Sequence, residues 1–131
     1  MAKSITPFLM FEGNAEPAMT FYVSLFPGSS IQSIARFGAE GPGKEGSVMT
    51  GILSLNGQTI MFLDSPVKHA FTFTPASSLF VECENAEEID RLFAALSDGG
   101  KVLMGLDTYP FARRFGWTND RFGVSWQLRL S

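Results

Sequence analysis

Asn14-Ala15-Glu16-Pro17-Ala18-Met19-Thr20-Phe21-Tyr22 is answered, 71 positions later, by Asn85-Ala86-Glu87-Glu88-Ile89-Asp90-Arg91-Leu92-Phe93. At the same offset Leu9-Met10 falls on Phe80-Val81, Leu25 on Leu96, and Gly28 on Gly99. Agreement at cap, core and stop positions marks an internal duplication. Each copy reads as a helix. Asn14 and Asn85 can accept a bond from a free N–H of the first turn. Glu16, Glu87 and Glu88 place negative charge at the positive end of the helix dipole, and Pro17 is tolerated where N–H groups lack helical partners. Ala18, Phe21, Tyr22, Leu25 and Phe26 form one apolar stripe, and Ile89, Leu92, Phe93 and Leu96 form another. Pro27-Gly28 and Asp98-Gly99-Gly100 end them.

Strand signals flank both helices. Ile5 to Phe11 and Ser77 to Glu84 precede them as short apolar runs. Ser30 to Phe37, Ser47 to Leu55 and Gln58 to Asp64 follow the first, with Asn56-Gly57 as a two-residue hairpin turn. Lys101 to Met104, Tyr109 to Thr118 and Val124 to Leu130 follow the second. Gly38 to Gly46 is a long glycine-rich loop, and Ser65 to Pro75 joins the halves. The pattern is βαβββ twice: one α+β domain over 1–131, with modules at 1–66 and 76–131. Two such units can pair into a curved mixed sheet with helices on the convex side and a central cup.

Composition narrows the chemistry. The 131 residues are 45% hydrophobic, which excludes a disordered chain. Ten Lys and Arg against thirteen Asp and Glu, with no basic run among aromatics, give no sign of nucleic-acid binding. The apolar run after Ser4 is too short to span a membrane and lacks a signal-peptide pattern, so the expected location is the cytoplasm. One cysteine, Cys83, and one histidine, His69, exclude a disulfide framework and any site built on several thiolates or imidazoles.

Two segments carry a resemblance. Gly13-Asn14-Ala15-Glu16 through Phe21-Tyr22 to Phe26-Pro27-Gly28-Ser29, and Phe115-Gly116-Trp117-Thr118-Asn119-Asp120-Arg121-Phe122-Gly123-Val124-Ser125-Trp126-Gln127-Leu128, resemble the PhnB-like branch of the vicinal oxygen chelate superfamily. Ser78-Leu79-Phe80-Val81 and Gly99-Gly100-Lys101-Val102 extend the match over nearly the whole chain. The resemblance implies a glyoxalase/bleomycin-resistance-like fold and a homodimer. The branch often carries the label 3-demethylubiquinone-9 3-methyltransferase. Methyl transfer on a Rossmann fold would need a glycine-rich turn opening a helix within alternating βα units, whereas Gly38 to Gly46 joins two strands. Metal-dependent relatives place ligands on the first and last strands of each module. Position by position, the resemblance puts those places at Pro7, Phe62, Ser78 and Gln127, of which the first two offer no side-chain donor. No metal and no cofactor are expected.

Candidate residues follow from strand alternation. Ser78, Phe80 and Glu82 share the cup face with Ser125, Gln127 and Arg129, whereas Leu79, Val81 and Cys83 face the core. Glu82 is a candidate general acid or base if an apolar cup raises its pKa. Its alternative is an ion pair with an arginine such as Arg113 or Arg114. His69, in the connection, either reaches the mouth of the cup or is a solvated loop residue. Adjacent Arg113 and Arg114 point to opposite faces, and the one entering the cup can hold a carboxylate or phosphonate. Gln127, Ser78, Phe62, Arg113 and Trp117 are the expected substrate contacts. The chain is therefore expected to bind a small molecule, either as a metal-independent enzyme or as a sequestering protein of the bleomycin-resistance type. A metal-dependent lyase or isomerase stands third.

Overall fold

The computed structural model describes residues 1–131. The chain divides into two compact units, Met1–His69 and Ala70–Ser131. The first contains β1 (Phe8–Phe11), α1 (Ala15–Leu25), β2 (Ser30–Arg36), β3 (Val48–Leu55) and β4 (Gln58–Asp64). Its sheet runs β1-β4-β3-β2, with β1 parallel to β4 and the other pairs antiparallel. The second contains β5 (Ser78–Glu82), α2 (Ala86–Ser97), β6 (Lys101–Tyr109), β7 (Ala112–Asn119) and β8 (Ser125–Leu130), in the same order, β5-β8-β7-β6. The βαβββ repeat is thus a repeat of topology as well as of sequence.

Each helix buries its stripe against its own sheet. In the first unit Met19, Tyr22 and Leu25 of α1 are buried with Leu53, Ile60 and Phe62 of the sheet. Phe62 stacks on Phe11 with centroids 5.6 Å apart and lies 6.1 Å from the Tyr22 ring. In the second unit Ile89, Leu92, Phe93 and Leu96 of α2 are buried with Trp126 and Leu128 of β8. Close approach is made possible by Gly51 on β3 and Gly116 on β7. A Cβ at Gly51 would lie 2.7 Å from the Met19 methyl, and one at Gly116 would lie 2.4 Å from the Phe93 ring.

The local expectations hold with three differences. Asn56 and Gly57 both take positive φ, 50° and 88°, as a tight I′ hairpin requires. Asn85 caps α2, its side chain accepting from Glu88 N at 2.9 Å, while the Glu88 carboxylate accepts from Glu84 N. Asn14 does not cap α1 with its side chain. Instead buried Asp64, at the end of β4, accepts from Gly13 N and Ala15 N at 2.8 and 2.9 Å, and from Val48 N at 3.0 Å. A carboxylate 49 residues beyond Ala15 does the work that local spacing assigned to Asn14. The strand expected to stop at Met104 continues as β6 to Tyr109, absorbing Gly105 and Asp107 in register irregularities against β7.

The third difference concerns register. Gly51 pairs with Phe62, and Gly116 pairs with Leu128. These rungs lie 11 and 12 positions apart, because the second hairpin turns through a larger loop. That loop is organised by Asp120, which accepts from Phe122 N, Val124 N and the Trp126 indole. Phe62 therefore corresponds to Leu128, and Met61 corresponds to Gln127. A slip of one residue moves a side chain to the opposite face of a sheet.

Candidate functional site

The face of the second sheet turned away from α2 carries a connected polar group. In both parallel and antiparallel rungs, directly opposed residues share a face. Ser78 opposes Ser125, Phe80 opposes Gln127, and Glu82 opposes Arg129 across β5 and β8. Trp117 opposes Gln127, Phe115 opposes Arg129, and Asn119 opposes Ser125 across β7 and β8. The Ser78 and Ser125 hydroxyls lie 2.7 Å apart. The Trp117 indole donates to Ser125 Oγ at 2.8 Å, and Gln127 Nε2 donates to Ser78 Oγ at 3.2 Å. Three expected contacts, Ser78, Gln127 and Trp117, thus meet in one hydrogen-bonded chain. Ser125 completes it at its centre.

Glu82 lies on the same face but in a different state from the one expected of a catalytic acid. Its carboxylate pairs with Arg129 and also accepts from Ser131 Oγ at 2.9 Å. The Arg129 bonds, and then the Ser131 bond, hold the Glu82 pKa below the ordinary carboxylate value, whereas a cup of apolar side chains would have raised it. The arginine is Arg129, two residues past Gln127, rather than Arg113 or Arg114. Its guanidinium also sits 5.1 Å from the Phe80 ring centroid, and Phe80 is half exposed.

The adjacent arginines separate as alternation requires. Arg114 turns to the helix side and bonds Asp90 of α2 at 2.7 Å. Arg113 shares the Trp117 face and donates from Nε to the Ser131 carbonyl at 2.7 Å. Cys83 is buried, and its thiol is pushed up to about 12, first by burial and then by Glu88 and Glu82. It behaves as a small apolar residue.

His69 and Phe62 belong to the first unit. His69 Nε2 lies 2.9 Å from Ser65 Oγ, and its backbone N–H donates to Glu12 Oε2 at 3.3 Å. The Ser65 hydroxyl donates its one proton to the Val67 carbonyl at 2.8 Å. The imidazole then donates to Ser65, so this serine is an acceptor in a local turn and no activated nucleophile. Beside it lies an open cleft of about 560 Å³, lined by Glu12, Lys44, Glu45, Asp64 and Ser65 among others. Phe62 was expected among the substrate contacts. Its ring is fully buried against Phe11 and Tyr22, facing α1, and the residue on the opposite face is its neighbour Met61.

The same shift decides how the chain stands toward a metal. With rungs as the guide, the counterparts of Ser78 and Gln127 in the first module are Thr6 and Met61, in place of Pro7 and Phe62. Hydroxyls, a carboxamide and a thioether make a neutral, mismatched set for a divalent ion. Ser78 and Gln127 moreover bond each other, and no three His, Cys, Asp or Glu side chains gather anywhere in the chain. The residues do not fit the metal site that the superfamily resemblance implies.

Comparison with known proteins agrees with this fold and narrows the kinship. The family model described as 3-demethylubiquinone-9 3-methyltransferase matches residues 3–129. The chain belongs to that family. A Bacillus cereus PhnB protein bearing the same methyltransferase description is 57% identical, covering 98% of this chain and 100% of its own, with a TM-score of 0.96. Protein YjdN of Escherichia coli K12 is 25% identical over 96% of this chain and 94% of its own length. The fosfomycin resistance protein FosX of Listeria monocytogenes shares the fold at 10% identity, covering 100% of this chain and 94% of its own, with a TM-score of 0.62. The fold is thus the glyoxalase/bleomycin-resistance-like one that the resemblance leads us to expect. No helix is long and apolar enough to cross a membrane.

Asn119 escapes sequence reading, and Ser125, which that reading places on the cup face with Gln127, is given no role there. Asn119 and Ser125 lie two residues from Trp117 and Gln127, so alternation alone marks them as sharing that face. What was missing was the register that sets them opposite each other.

Proposed function

We propose that the chain binds a small organic molecule on the Ser78–Ser125–Gln127–Trp117 face of its second module, without a metal. The observation that carries this reading is the hydrogen-bonded chain itself. Four polar side chains from three strands converge there, where the equivalent face of the first module presents Phe8, Met10, Met61 and Leu63. Polar groups arranged this way orient a ligand. Binding ranks ahead of turnover because the Glu82 carboxylate, the candidate acid or base, is already engaged by Arg129 and Ser131. The family description is no support for methyl transfer, since the two βαβββ units contain no run of βα units around a parallel sheet.

A thermal-shift screen of small metabolites tests the site. A hit should lose most of its stabilisation in Gln127→Ala and in Trp117→Phe, and much less in His69→Ala. A hit indifferent to both Gln127 and Trp117 places the site elsewhere. We further propose that the protein works as a homodimer in the cytoplasm, because modules of this superfamily commonly pair at their open ends between chains. Light scattering should then give about twice the 14.3 kDa chain mass, and a monomer mass overturns the dimer.

A further inference from the structure

The proposed ligand face extends one strand beyond its hydrogen-bonded chain, and what it gains there is a charge. Lys101, at the start of β6, opposes Asn119 of β7, which opposes Ser125 of β8, which opposes Ser78 of β5. One polar row therefore crosses all four strands on a single face. The next row, Met104, Trp117, Gln127 and Phe80, is mostly apolar. Lys101 is exposed and makes no ion pair.

The groups left over along the polar row are donors. The Asn119 amide buries its Oδ1, while its Nδ2 reaches the surface without a partner in the protein. Gln127 Nε2 gives one of its two protons to Ser78 and keeps the other. The Lys101 ammonium holds three protons and has no carboxylate against it. The hydroxyls of Ser78 and Ser125 bond each other, and the Trp117 indole is spent on Ser125. The negative charges of this face stand away from the row. Glu82 is paired with Arg129, and Asp107 lies in the row of Phe115 and Arg129, about 13 Å along the sheet at roughly 3.3 Å per residue.

We infer that the ligand of this face is an organic carboxylate, held by Lys101 and Asn119 Nδ2, with its apolar body laid across Trp117 and Met104. The inference rests on the reading that this face binds the ligand. The four-carbon lysine stem is longer than the roughly 4.8 Å between neighbouring strands, so its ammonium reaches over Asn119. A carboxylate placed there meets the two donors with its two oxygens, one of the bonds being charge-assisted on both sides. Charge complementarity with an ammonium that the protein leaves unpaired selects it over a neutral or cationic molecule of the same shape.

Titrating sodium benzoate, benzyl alcohol and benzylamine into ¹⁵N-labelled protein, and following the Trp117 indole signal (assigned with Trp117→Phe), tests this. Benzoate should move that signal with an affinity about tenfold above benzyl alcohol, the worth of one hydrogen bond to a charged group, and benzylamine should bind most weakly. Lys101→Met keeps an unbranched stem and removes the charge. It should bring benzoate down to the level of benzyl alcohol and leave benzyl alcohol unchanged, whereas Lys101→Arg should restore most of the difference. The buried Trp126 indole, bonded to Asp120, reports that each variant is folded. Equal affinities for benzoate and benzyl alcohol, or a benzoate preference that survives Lys101→Met, overturn the carboxylate at Lys101 and leave the site standing. No movement of the Trp117 signal with any of the three overturns the site itself, and the ligand class with it.

Discussion

The two modules share a topology and differ in where they place their polar groups. In the first, the buried carboxylate of Asp64 ties together the start of α1, the start of β3 and the end of β4. In the second, the position across from Cys83 at the end of β8 is Leu130, and capping has passed to the local pair Asn85 and Glu88. The outer sheet faces differ in the reverse sense. Around Met61 the first is apolar, and around Gln127 the second is polar. Both modules bury a carboxylate, Asp64 bridging distant segments in the first and Asp120 closing one hairpin in the second, and only the second adds a polar group on its outer face. A duplicated unit can give one copy this added group because each copy has its own helix to cover its own core.

The largest expected effect follows from that asymmetry. Asp64→Ala strands three backbone N–H groups in a buried place, and should cost about 3–5 kcal/mol in urea denaturation. Asn85→Ala, the equivalent injury in the second module, should cost only about 1 kcal/mol. Equal costs would mean that α1 does not depend on its distant cap.

The two close-packed glycines give the next test. Gly116→Ala drives a methyl into the Phe93 ring and should cost about 1–3 kcal/mol. Gly51→Ala meets the end of the flexible Met19 side chain, which can swing aside, so its cost should be visibly smaller. A Gly51→Ala penalty matching that of Gly116→Ala would show that Met19 is as fixed as the phenylalanine.

How much of this was legible in the chain can be read residue by residue. The helices were legible because their stripes and stops are local and periodic. The Asn56-Gly57 turn was legible because few dipeptides accept two positive φ values. Asp64 as a cap was not legible, since nothing near Asn14 in sequence points to a residue at the far end of the module. The transfer of Gln127 onto Phe62 failed for a different reason. One extra residue in the second hairpin is invisible when two strands are aligned without gaps, and alternation converts it into the wrong face.

Smaller effects concern the edge of the site. Glu82 has a lowered pKa in the folded chain, so its stabilisation is present above the ordinary carboxylate value of 4.5 and is lost as pH falls through the folded value. Below pH 4.5 the thermal midpoint of the native sequence should fall more steeply than that of Glu82→Gln, by a small margin because the pair is exposed. Parallel curves would mean that the Arg129 pairing is not maintained in solution. The smallest signal is that of Cys83, whose thiol, pushed up to about 12 by burial, should react with a disulfide reagent at pH 8 only on unfolding. Rapid labelling of the native chain would show that the end of β5 opens readily.

Composition and local spacing were enough to establish the duplication, both helices, the βαβββ order and the shortage of metal ligands. These depend on residues within a few positions of one another, or on what the chain does not contain. The tertiary structure alone decided that Met61 stands where Gln127 stands, that Glu82 answers to Arg129, that Arg113 and not Arg114 shares the Trp117 face, and that Asn119 opposes Ser125. Each of those depends on strand register, which is fixed by the size of a turn and by pairing between distant segments, and a change of one residue there inverts every side chain that follows.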